Sequence, residues 1–72
     1  MQNIVFLDRD SLLATVRPPA FEHQWRDYPA TQPGQVAERL AGATIAITNK
    51  VPVRAADIAL LPDLKMIAVA AT

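Results

Sequence analysis

Cysteine is absent, so the chain has no disulfide framework, no thiolate metal site and no cysteine nucleophile. Only two glycines occur, Gly34 and Gly42, and neither belongs to a glycine-rich strand-to-helix turn that cradles a pyrophosphate. Neither sign of charge prevails: seven basic residues face seven acidic ones, so no net field draws the chain to nucleic acid or to a membrane surface. No apolar run approaches the length of a membrane span, and no basic stretch followed by an apolar signal core opens the sequence. A soluble, cytoplasmic protein is the expectation. Aromatic residues are few, and three of the four fall between Phe21 and Tyr28. With 72 residues there is room for one small domain, which buries only about 60% of its unfolded surface.

What is present is apolar sequence in short, well-punctuated runs, half of all residues being apolar. The run from Ala43 to Thr48 is β-branched and apolar on both alternations, which predicts a strand buried on both faces of a parallel sheet. It follows Gly42 and ends in Thr48-Asn49-Lys50, with Pro52 just beyond. In α/β proteins the polar residues past the carboxyl end of a strand meet the ligand. A hydroxyl, an amide and an ammonium therefore stand where such a fold does its chemistry.

Ile4 to Leu7 reads as the first buried strand, and Asp8-Arg9-Asp10-Ser11 offers a cap and a helical turn that ends by Pro18-Pro19. Gln24–Tyr28 has the mixed polarity of an edge strand. Thr31-Gln32-Pro33 predicts a helix start, with Val36, Ala37, Leu40 and Ala41 facing the core, Gln35, Glu38 and Arg39 facing out, and Gly42 as the stop. A second short helix is expected over Arg54–Leu61, with Ile58 and Leu61 one turn apart. A fully buried strand is expected over Lys65–Ala70. This strict alternation implies parallel crossovers and an α/β, flavodoxin-like layered sheet. No helix follows the last strand, so one sheet face is expected to be unfinished. Asp8, Asn49 and Thr72, each past the end of a strand, should share one rim.

The segments Tyr28-Pro29-Ala30-Thr31, Ala37-Glu38-Arg39-Leu40, Ile47-Thr48-Asn49-Lys50-Val51-Pro52 and Leu61-Pro62-Asp63-Leu64-Lys65-Met66-Ile67-Ala68-Val69-Ala70-Ala71-Thr72 resemble one family. They are similar to the N-terminal part of the NAD-dependent D-isomer-specific 2-hydroxyacid dehydrogenases, nearest to the glycerate dehydrogenase (hydroxypyruvate reductase) branch. The resemblance covers essentially the whole chain. It implies a flavodoxin-like substrate domain, with residues 1–72 as its N-terminal segment, and a parent that is a homodimer and uses NAD or NADP on a small 2-oxo or 2-hydroxy acid. It places Asn49 and Lys50 in a loop facing the substrate cleft, and Thr72 at the start of the turn whose backbone amides hold the substrate carboxylate. The family's dinucleotide-binding domain and its catalytic arginine, acidic residue and histidine have no counterpart here, and His23 matches none of them. The chain alone is thus expected to be an inactive piece that binds no cofactor.

Two rival readings stand beside this one. Asp8-Arg9-Asp10 after an apolar strand matches the opening of haloacid-dehalogenase-like phosphatases, where one aspartate attacks phosphorus, a second manages the proton and magnesium is held between them. Against it, Ser11 replaces the usual glycine, and no later lysine or acidic pair completes that site. The simpler role for Asp8 and Asp10 is to cap a short helix. The other rival is a non-catalytic α/β module that binds a partner through an exposed sheet face. Lys50 by itself has the bland alternative of a solvated loop cation. His23 reads as a surface residue, and Trp25 and Tyr28 as cover for a sheet edge.

Overall fold

The structure is a computed structural model that describes residues 2–11 and 20–69. The apolar runs form four strands, β1 (Gln2–Phe6), β2 (His23–Asp27), β3 (Ile45–Thr48) and β4 (Met66–Val69). They build one sheet in the order β2-β1-β3-β4, every pair parallel. This is the order of a flavodoxin-like α/β sheet over four strands. The two strands richest in buried residues, β1 and β3, occupy the centre, and the mixed-polarity β2 takes an edge as its composition demands.

Between β2 and β3 the chain turns through a 3-10 segment, Pro33–Gln35, into the helix α1 (Val36–Arg39). Pro33 opens the turn where its missing N–H costs nothing, and the Gln35 side-chain oxygen accepts the Gln32 amide at 3.0 Å. Thr31 is not the cap its position promised. Its hydroxyl donates instead to the Leu7 carbonyl, tying the helix approach to the exit of β1. Gly42 ends the helical stretch at φ 79°, a left-handed conformation that L side chains avoid.

Val36 and Leu40, one turn apart, are buried against Val5, Leu7, Ala43, Ala46 and Leu61. Burying a side chain such as Leu40 stabilises the fold by roughly 1.5–3 kcal/mol. Of the other residues placed on that face, Ala37 is half-buried and Ala41 is exposed. The second helix, α2, is shorter than its sequence promised: it covers Ala55–Ile58 and continues to Leu61 through i to i−3 hydrogen bonds. Leu61 enters the core, whereas Ile58 is 44% exposed.

On the opposite face Ile4 and Phe6 of β1 are buried, but the described residues leave an apolar trough beside them. Gln2, Ile4, Ile45, Ile47, Met66 and Ala68, with Phe21, line an apolar trough of about 420 Å³. The expectation of burial on both faces therefore holds for β3 only on the helix side, where Ala46 and Thr48 are buried and Ile45 and Ile47 are not. It fails for β4, whose Met66 is 55% and Val69 65% exposed. An apolar run states that a strand can be covered on both faces, and the rest of the chain decides whether it is.

Candidate substrate-facing rim

Parallel neighbours leave the sheet on the same side, so β1 delivers Leu7-Asp8 and β3 delivers Thr48-Asn49-Lys50 to one rim. There they meet through the side chain of Asp8. One carboxylate oxygen accepts the backbone N–H of Asn49 at 2.8 Å, and the other accepts the backbone N–H of Lys50 at 2.7 Å. Bonds of this kind to an ionised acceptor are short and about twice as strong as neutral ones. Asp8 itself is buried.

Thr48 closes the same loop from inside. Its hydroxyl donates to the Val51 carbonyl at 2.7 Å and accepts the Val51 amide at 3.1 Å. The same hydroxyl lies 3.5 Å from an Asp8 oxygen, but a hydroxyl has one proton and the shorter bond takes it. Beyond the turn, Val51 and Val53 pack against the core. Asn49 and Lys50 are thus the tip of a short loop fixed at its base, its closure and its return. Asn49 is half-buried there and Lys50 is exposed.

The neighbouring rim is equally tied. Arg9 donates its backbone N–H to the Tyr28 carbonyl at 2.9 Å, and Asp10 to the Pro29 carbonyl at 3.1 Å. The helical turn expected after the first strand begins as a 3-10 turn, Arg9–Ser11, and the rest of that expectation, up to Pro18-Pro19, lies outside the described residues. A capping role for Asp8 misses its larger one, the grip on the loop after β3. A nucleophilic Asp8 would need an oxygen open to an incoming phosphorus, and both oxygens here accept backbone N–H groups on a buried residue. Asp10 is exposed.

Of the residues expected at the substrate, Asn49 and Lys50 lie together on this rim, and Thr72 lies outside the described residues. His23 is at the amino end of β2, the far side of the sheet from the rim, with Nδ1 2.9 Å from the Phe21 carbonyl. Reading the sequence alone passes over Asp8 as the loop's anchor. The signal was available: an acidic residue directly after a buried strand, with a polar strand end expected alongside it on the same rim.

No protein-family model matches the chain. Among curated proteins, glycerate dehydrogenase of Methylorubrum extorquens is 56% identical over 72 residues, 99% of this chain and 23% of that protein. A candidate 2-hydroxyacid dehydrogenase of Haemophilus influenzae is 41% identical over 71 residues, 96% of this chain and 22% of that protein. The chain is homologous to 2-hydroxyacid dehydrogenases. It spans less than a quarter of the length of these relatives.

The chain's two glycines bear on a dinucleotide site. Gly34 sits inside the 3-10 turn before α1, and Gly42 ends the helical stretch that follows it. Gly34 alone lies between a strand, β2, and the helix after it, and no second glycine joins it there to form the glycine-rich turn on whose amides a pyrophosphate rests. The described residues thus offer no glycine-rich cradle for a pyrophosphate. Among the described residues, no helix is long and apolar enough to cross a membrane.

Proposed function

We propose that this chain is the N-terminal segment of the substrate-binding domain of a cytoplasmic, NAD- or NADP-dependent 2-hydroxyacid dehydrogenase of the glycerate dehydrogenase type. The whole protein, a homodimer, interconverts a small 2-oxo acid such as hydroxypyruvate and its 2-hydroxy acid by hydride transfer with the nicotinamide. This segment contributes the part of the cleft that receives the acid. Asn49 and Lys50 are the polar contacts, with Thr72 opening the turn that binds the carboxylate. The dinucleotide and the groups that move the proton belong to other parts of the protein.

The observation that carries this reading is the fixed Thr48–Val51 loop at the carboxyl end of a central parallel strand. An ammonium extending from such a loop forms a charge-assisted hydrogen bond with a carboxylate at little ordering cost. The test is steady-state hydroxypyruvate reduction by the whole protein and its Lys50→Met variant. Methionine keeps most of the stem and removes the charge. The KM for hydroxypyruvate should rise roughly ten- to a hundredfold while kcat changes little. Equal KM values in two equally stable proteins would return Lys50 to the role of a solvated surface cation.

A further inference from the structure

The buried Asp8 carboxylate has a use beyond holding two strands side by side. We propose that Asp8 is a positioning residue for substrate binding. Through the Asn49 and Lys50 amides it sets the place and direction from which the Lys50 ammonium extends. Asn49 and Lys50 meet substrate only under the reading above, so this role rests on that reading.

Three observations carry it. Asp8 spans the gap between two central strands and grips both tip residues, one with each oxygen, at 2.8 and 2.7 Å. The grip is on main-chain N–H groups, so it fixes the backbone of the tip from which the Lys50 side chain extends. Asp8 is also 4% exposed, which puts it out of direct reach of substrate and leaves it only an indirect influence. A charged group in such a place, bonded to the two residues that extend furthest onto the rim, is built as a fixed support. Preorganising a charged contact improves binding by removing the entropy that a loose loop loses on closing.

Asp8→Asn is the informative substitution. The amide is isosteric but offers one acceptor oxygen and one donor group. One tip N–H therefore loses its partner and faces another donor. The variant is made in the whole protein, alone and together with Lys50→Met, and hydroxypyruvate kinetics are measured for all four forms. Asp8→Asn alone should raise KM roughly tenfold with kcat within about twofold. In the Lys50→Met background its effect on KM should shrink to about twofold or less, because the charged group it positions is already gone and only Asn49 remains. A merely structural Asp8 would lower stability equally in both backgrounds without this loss of effect.

The outcomes separate the two layers. If Lys50→Met leaves KM unchanged, the reading of Lys50 falls and the role of Asp8 falls with it. If Lys50→Met raises KM but Asp8→Asn either does nothing or multiplies KM by the same factor in both backgrounds, the positioning role alone is overturned. Should Asp8→Asn fail to fold, hydrogen exchange in the unaltered protein decides. Protection of the Asn49 and Lys50 amides supports the clamp, and exchange at the rate of open loop amides overturns it.

Discussion

The Arg39 guanidinium lies 4.3 Å from the centre of the Tyr28 ring, covering its face. From that place Nη1 donates to the Ala30 carbonyl and, at 3.0 Å, to the Thr31 hydroxyl. Thr31 in turn donates to the Leu7 carbonyl, so one arginine on α1 reaches the exit of β1 in two hydrogen bonds. The side chain that helical periodicity assigns to solvent is half-buried. Its long stem folds back over the loop instead of pointing away.

Arg39→Met keeps the stem and removes both the cation over the ring and the hydrogen bonds. A cation over an aromatic face is worth about 0.5–1 kcal/mol near the surface, and hydrogen bonds to a charged group add about 1.5–3 kcal/mol. Partial exposure reduces the sum, and a loss of about 1–2 kcal/mol is expected. In a domain of this size that lowers Tm by roughly 4–16 °C. An unchanged Tm would make Arg39 an ordinary surface cation.

Gly42→Ala should destabilise by about 1–2 kcal/mol, since φ 79° is a left-handed conformation. A β-carbon built there meets no atom within 4 Å, so the cost is conformational and not a clash. Gly42→Asn should therefore lose less than Gly42→Ala, because asparagine tolerates this region. Thermal unfolding of the two variants, compared with the parent, checks the order. Alanine as stable as glycine would contradict it.

The existence of each strand and the parallel pairing were legible because glycine, proline and polar residues bracket the apolar runs, although the strand ends fall one or two residues from where those brackets put them. Asn49 and Lys50 were legible as rim residues for the same reason. Cover was not. Nothing in Ile45, Ile47 or Met66 announces that the helices α1 and α2 serve the other face, nor in Ile67 or Val69 that those helices reach β4 so little, so β3 is only half-covered on one face and β4 is exposed on both. Asp8 was misjudged for a different reason. Its partners lie more than 40 residues away, and local sequence offers a neighbouring helical turn as the simpler use for an aspartate. Thr31 misleads likewise, because a hydroxyl before a helix suits a cap until a nearer carbonyl, that of Leu7, competes for it.

The open trough makes a measurable claim about the 72-residue polypeptide in isolation. An apolar trough open to solvent offers a seat for an apolar dye. Such a dye should fluoresce with the polypeptide, and Met66→Lys, which puts a charge on a residue already 55% exposed, should weaken the signal. A clean monomer that binds no dye and melts in one sharp transition would argue against it.

Calorimetric titration of the same polypeptide with NADH should give no saturable heat, because Gly34 stands alone in its strand-to-helix turn and no glycine-rich cradle is built there. A micromolar dissociation constant would place a nucleotide site in this segment and remove the assignment of cofactor binding to other parts of the protein.

Thr48 tests the tip of the rim with Asp8 and Lys50 left in place. Its hydroxyl satisfies both the N–H and the C=O of Val51, and the residue is only 6% exposed, so water is a poor substitute. Thr48→Val preserves shape but leaves those two backbone groups without their partner, a loss of about 1–3 kcal/mol. Thr48→Ser retains the hydroxyl and gives up one methyl group, so its turn should stay closed. Thermal unfolding should rank threonine above serine and serine above valine. Hydrogen exchange adds the local readout: the Val51 amide should exchange faster in the valine variant and stay protected in the serine variant. If the Val51 amide is equally protected in all three, the hydroxyl does not close the loop. The Asn49–Lys50 tip would then hang on Asp8 and the packing of Val51 and Val53 alone.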